Sequence, residues 1–332
     1  MRLANLRFLT WALIGCALVV MFLLPSQYVA RVNMIWIAII SCAALNLLTG
    51  LAGQVSLGHA AFMAIGAYTT VILQRSGLND LVFTLPAGAA TAAAVGLLVG
   101  IPSLRLRGFY LALSTLSLHF AVSFLAYRYQ TAIGGTAGFI LPAPTLASFP
   151  VAGVYRWNIL LAFIGIVVLI VFFNFCRSKV GRAWTAIRDR DLAASIIGIN
   201  VTSYKLIAFL VSSMVAGIAG VLQAHFIGNV SSDTFSLSVA ISYIAMIIIG
   251  GIGSVVVGSI LGAIVVTQLP YLIQGLATFI QGPDAGTNFA IFDIQAGAFG
   301  LVIILFLLFE PHGLVGIART VMAKARARFS GA

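Results

Sequence analysis

The charged residues of this sequence are few and clustered, and the cluster is where chemistry has to be sought first. Arg177, Lys179, Arg182, Arg188, Asp189, Arg190 and Asp191 fall within RSKVGRAWTAIRDRDLAASIIGI, residues 177–199, in a chain that is 61% hydrophobic and 8% charged. Apolar runs flank the stretch on both sides. It is too charged to cross a bilayer, since each central Arg or Asp costs about 2.5–3.5 kcal/mol even on a lenient scale. Its composition favours a helix from Arg182 to Ile197, bounded by Gly181 before and Gly198 after. Trp184, Ile187, Asp191 and Ala194 recur on one face, with Arg188, Asp189 and Arg190 at the sides. Such a helix either rests on anionic lipid or docks a cytoplasmic protein. Trp184 and Ile187 are the only large apolar members before Ile196, a weak anchor. The small Ala193, Ala194 and Gly198 permit close backbone approach, and docking is the favoured reading.

The remaining candidates are sparse polar groups in apolar surroundings. Gln54, Ser56, His59, Ser117 and His119, with Gly53, Gly58, Gly250, Gly253 and Ser254 at two glycine-rich breaks, are the candidate lining of a translocation pathway. Helix–helix hydrogen bonding is the competing role for each Ser and His taken singly. No GxxxxGK[ST] loop, HExxH pair or GxSxG elbow is present, which argues against an enzyme and against ATP binding by a phosphate loop. Cys16, Cys42 and Cys176 have no CxxC spacing, so neither a metal site nor a disulfide framework is implied. Asp80, Asp233, Asp284 and Asp293 fall at loops or helix ends, leaving no core carboxylate for ion-coupled transport.

The elements that must position these residues are membrane helices. Apolar runs at 8–24, 33–49, 56–74, 82–101, 109–126, 158–176, 206–227, 238–250, 254–275 and 295–310 predict an all-α polytopic membrane protein of about ten transmembrane or half-membrane helices. The first run is expected to be retained, because bulky Tyr28 spoils the cleavage pattern before Ala30. Basic residues before 8, at Arg105 and Arg107, in 177–199 and after 318 fall on one side of this count, which positive-inside makes cytoplasmic, termini included. That loop placement accounts for the net charge of +11 and excludes a nucleic-acid partner. Parity then requires a break near Gly250-Gly251-Ile252-Gly253-Ser254, and the run 238–250 is short enough for a half-helix. Gly50, Gly53, Val55 and Gly58 are spaced as Gly250, Gly253, Val255 and Gly258, the echo of an internal repeat. The organisation expected is one permease domain over 1–318, a cytoplasmic loop at 177–205, outer loops at 127–157 and 276–293, and a basic tail at 319–332.

Asp191-Leu-Ala193-Ala194-Ser-Ile-Ile-Gly198-Ile199 resembles the EAA-type coupling motif of bacterial ABC importer permeases. GRAWTAIRDRD before it, LLTGLAGQVSLGHAAFMAIGAY at 47–68, IGGTAG at 133–138, AGIAGVLQAHFIG at 216–228, SYIAMIIIGGIGSVVVGSILGA at 242–263 and LLFEPHGLVGI at 307–317 are similar, in order, to the branched-chain amino acid permease family, and most to its M-type subunits. The resemblance implies a type II importer-like permease in the bacterial inner membrane, paired with an H-type permease, two cytoplasmic ATPase subunits and a periplasmic binding protein. ATP and magnesium would then belong to the ATPases, with no cofactor on this chain. Gly181, Arg182, Trp184, Ile187, Asp189, Asp191, Ala193, Ala194 and Gly198 become the ATPase-coupling set, with the two glycines as flexible ends. Leucine, isoleucine and valine are the implied cargo. Urea, short amides and aromatic acids are the alternatives. Asp191 lies two residues before Ala193, a departure from the motif's acidic position.

Overall fold

A computed structural model describes residues 25–103, 108–133, 137–147, 149–281 and 313–317, with isolated positions at 135, 297, 300, 301, 304, 308 and 320. The expected span 8–24, most of 295–310, Arg105 and Arg107, most of the 276–293 loop and nearly all of the tail lie outside these residues. Within them the chain is helical: α1 (Ser26–Leu45), α2 (His59–Arg75), α3 (Leu81–Ser103), α4 (Phe109–Ile133), α5 (Val154–Arg177), α6 (Lys179–Asp189), α7 (Asp191–Ile196), α8 (Val201–Ile227), α9 (Leu237–Gly250) and α10 (Val257–Gln281). Every expected span on described residues has its helix. Among the described residues, seven helical segments are long and apolar enough to cross a membrane, and α2 falls just short at 17 residues. The fold is an all-α polytopic membrane protein.

Helix α8 is the centre of the bundle, packed along α3 and α2 and against α1. Small residues set this spacing. A Cβ on Gly66 of α2 would overlap the Gly217 carbonyl of α8, and one on Gly217 would lie 2.6 Å from Gly88 O of α3. Without a hydrophobic drive between helices in lipid, such close backbone approach supplies the packing. Polar groups inside the bundle are paired across helices. Ser212 Oγ donates to Ala44 O at 2.8 Å, and Asn158 Nδ2 donates to Asn33 Oδ1 at 2.9 Å. Large apolar side chains such as Phe120, Phe124 and Phe163 instead face outward from α4 and α5, as a lipid-facing surface requires.

Helix α5 fixes the two ends of the molecule. Its 24 residues span about 36 Å at 1.5 Å per residue. A small hairpin, β2 (Thr145–Leu146) on β3 (Phe149–Pro150), precedes it, and the charged stretch follows it. Beside the hairpin, β1 (Phe139–Ile140) pairs antiparallel with β4 (Asn229–Val230), Phe139 opposite Val230. Gln130 Oε1 accepts from Ser232 N at 2.8 Å and from Tyr68 Oη at 3.3 Å, closing this end. Helix α4 runs to Ile133, so the connection expected over 127–157 is shorter than the sequence suggests.

Two short elements depart from regular helix. The last turn of α1 widens into a π-helix over Asn46–Leu51. Helix α9 has only 14 residues, preceded by a 3₁₀ turn at Ser232–Phe235. Alone, at about 21 Å, it is short for an upright crossing; joined to the 3₁₀ turn, Ser232–Gly250 is one of the seven segments long enough to span.

Candidate functional site

The charged stretch is two helices, not the single one expected over Arg182–Ile197. Arg190 is extended (φ −156°, ψ 101°) and separates α6 from α7. Ser178 caps α6, its Oγ accepting from Gly181 N at 3.3 Å. Gly181 therefore lies in the first turn and is no flexible end. A Cβ there would overlap the Phe175 carbonyl, so the glycine serves packing against α5. Gly198 does terminate α7, with φ +87° and open space around it.

The face predicted from Trp184, Ile187, Asp191 and Ala194 exists and is turned inward. Trp184 is completely buried, its Nε1 donating to Tyr204 O of α8 at 2.8 Å and its ring tilted against Phe175. Ile187 and Ala194 are buried, and Asp191 Oδ2 meets Lys205 Nζ at 3.5 Å. These four residues attach the element to its own membrane domain. What remains exposed is Arg182, Asp189, Ala193 and the apolar Leu192, Ile196 and Ile197, with Ile196 85% exposed.

Both glycine breaks converge on this element. Arg188 Nη1 donates to Gly50 O at 2.7 Å. Gln54 Nε2 donates to Lys205 O at 3.1 Å. The second break is gripped by Asn46, at the head of the π-turn. Its Oδ1 accepts from Gly253 N at 2.9 Å, and its Nδ2 donates to Ser254 O at 3.2 Å and, at 3.4 Å, to Gly251 O and to Ser259 Oγ. Asn46 was not among the residues singled out from the sequence. A lone amide inside Ala44-Leu45-Asn46-Leu47-Leu48 was the available signal.

The ten pathway candidates divide. Gly53, Gln54, Gly250, Gly253 and Ser254 belong to this junction, Gly53 and Gln54 lining a cleft of about 230 Å³ beneath α6. Ser56, His59 and His119 are buried. Gly58 packs on the Thr115 carbonyl, and Ser117 is exposed, donating to Leu113 O of its own helix. A larger chamber, about 570 Å³, lies between α1, α8, α9 and α10, and none of the ten lines it. Its walls are mainly apolar, with Ser238, Ser242, Gln223 and Thr267 as polar points. Gln223 Oε1 and Thr267 Oγ1 are buried without a partner among the described residues. His59 reaches it only indirectly, edge-on to the lining Tyr243 at 5.4 Å and 2.7 Å from Ser41 Oγ. An apolar chamber with a few unsatisfied polar groups suits a small molecule with an apolar body.

Comparison with known proteins gives the same direction. A family model described as branched-chain amino acid transport system / permease component matches residues 27–309. The chain is 33% identical over 267 residues to the high-affinity branched-chain amino acid transport system permease protein LivM of Salmonella typhimurium, covering 73% of this chain and 63% of that one. The LivM protein of Escherichia coli K12 is 34% identical over 250 residues, 68% of this chain and 58% of the relative. This chain thus spans about three-fifths of both relatives. The LivH permease protein of Escherichia coli K12 is 27% identical over 157 residues, 47% of this chain and 46% of that one. No solved structure matches. With a family match running almost end to end through the described helices, the chain belongs to the branched-chain amino acid transport system permease family.

Proposed function

We propose that this chain is a non-catalytic membrane subunit of an ATP-driven, binding-protein-dependent importer of leucine, isoleucine and valine. Its companions would be an H-type permease, two cytoplasmic ATPase subunits and a periplasmic binding protein, in a bacterial inner membrane. One observation carries the reading: the charged α6–α7 element is anchored by its buried face to the bundle while Leu192, Ile196 and Ile197 stay free. A lipid anchor would turn its apolar face to the bilayer. Here the large apolar face is spent on the protein's own helices, and an exposed apolar cluster rimmed by charge is what a protein partner covers.

At the other end, Ile140 and Phe149 are 81% and 77% exposed on the strands that precede α5. They form the surface offered to the binding protein. The chamber beside α9 receives the cargo's apolar side chain, and its few polar points bind weakly enough to release it. The four motif candidates that reach neither chamber nor free surface, Trp184, Ile187, Asp191 and Ala194, act as anchors of the coupling element.

The test is uptake of labelled leucine by proteoliposomes holding the chain with its co-purifying subunits. Uptake that needs both ATP and the binding protein is expected. Uptake by the isolated chain on a proton or sodium gradient would overturn the reading.

A further inference from the structure

We infer that Arg188 is a positioning residue that pins the coupling element to both glycine breaks, so that a displacement of α6 reaches the ends of α1 and α9 together. Three glycines from two breaks form its seat. The base of the side chain lies over Gly53, where a Cβ would come within 2.8 Å of Arg188 Cγ and 3.1 Å of its Cα. The guanidinium continues past it. Nη1 donates to Gly50 O at 2.7 Å, and the same nitrogen lies 3.1 Å from where a Gly253 Cβ would stand. Gly53 and Gly253 have φ of +69° and +85°, conformations in which glycine leaves the space the arginine occupies. On its solvent side Arg188 meets Asp189 Oδ1 at 3.3 Å.

The consequence is mechanical. Trp184 ties α6 to α8 through Tyr204 O. Arg188 bonds the same helix to the first break at Gly50 O and lies against Gly253 of the second. Gly50 itself packs against the backbone of Gly253, and Asn46 holds the second break from α1. A push on α6 therefore meets a junction already stapled together, and α9, ending at Gly250, carries it to the chamber it lines. A planar guanidinium suits this seat because its fixed fork holds a carbonyl and a carboxylate at once, where an ammonium is a single point charge.

The role assumes the importer reading above, and two measurements separate the pair. In the reconstituted complex, Arg188→Ala is expected to raise the ATP hydrolysed per leucine imported by about tenfold or more, because a hydrogen bond to a charged group biases an equilibrium by about ten- to a hundredfold. Arg188→Lys should restore part of the loss. A wild-type ratio in Arg188→Ala overturns the pin. The second measurement needs no change at Arg188. Spin labels on Lys179→Cys and Ile252→Cys, in a complex with Cys16, Cys42 and Cys176 replaced by alanine, report the distance between α6 and the second break. The pin predicts one distance in nucleotide-free and ATP-bound states, and a distance that changes between them overturns it, also if Arg188→Ala fails to assemble. Failure of the unmodified complex to import leucine strikes the importer reading alone, and the label distance still decides the pin.

Discussion

The two glycine breaks share a left-handed glycine and differ in what holds them. Each ends one helix and starts the next, each has a left-handed glycine at the equivalent position, Gly53 and Gly253, and the two pack against each other. The first is fastened to several helices: Gln54 bonds Lys205 O of α8, and Leu57 N donates to Thr115 Oγ1 of α4 at 2.9 Å. Among the described residues the second is bonded through one side chain, Asn46, with Gly313 packed against Gly251. Val55 is 43% exposed where its counterpart Val255 is 2% exposed. A repeated glycine spacing is thus held by side chains of several helices once and, among the described residues, by the Asn46 amide once. The second break ends α9, which lines the chamber.

The largest effect should come from cutting the single grip. Asn46→Leu leaves Gly253 N and the Ser254 carbonyl without their partner, and about 3 kcal/mol of stability should be lost. A thermal melt of the purified complex checks it. Gln54→Leu should cost only about 1 kcal/mol, because the first break keeps its other fastenings. Equal losses would mean that the two breaks are held alike.

Next come the left-handed glycines. Gly53→Ala and Gly253→Ala both incur about 1–2 kcal/mol of backbone strain. Gly53→Ala should be the worse for transport, since its Cβ would come within 2.8 Å of the Arg188 stem, whereas at Gly253 the neighbours, Arg188 Nη1 and Gly50 O, stand at 3.1 and 3.3 Å. Uptake rates of the two variants decide. Smaller still, Val255→Ala should cost about 1–2 kcal/mol for the cavity it leaves, against nearly nothing for the exposed Val55→Ala. The smallest effect on stability belongs to Ile196→Asp, which touches only free surface. It should leave the melt unchanged and weaken recovery of the ATPase subunits with the chain.

Much of this was legible in the sequence, for physical reasons that can be named. Long uncharged runs mark the helices because no polar backbone is tolerated in lipid outside them. Parity of basic loops required the interruption at Gly250–Ser254, where α9 indeed ends. Of the repeat spacing, one pair reappears in the backbone, the left-handed Gly53 and Gly253. What was not legible depends on tertiary direction. Periodicity put Trp184, Ile187 and Ala194 on one face, and no pattern said whether that face met a partner or α5 and α8. The extended Arg190 splits a stretch whose composition is helical throughout. Gln54 and Gly253 were chosen as pathway residues for their polarity and glycine content, and contacts more than a hundred residues away make them parts of a junction. The chamber draws on four helices distant in sequence, with serines and a threonine that are individually unremarkable.

On the proposed function, the α6–α7 end meets the ATPase and the end carrying the β-strands meets the binding protein. Photo-reactive residues placed singly at Ile196 and Ile140 and irradiated in native membranes test both assignments at once. Ile196 is expected to cross-link to a subunit that also labels with an ATP analogue, and Ile140 to the soluble amino acid-binding protein. Cross-linking of Ile196 to lipid or to the binding protein would contradict the proposed function.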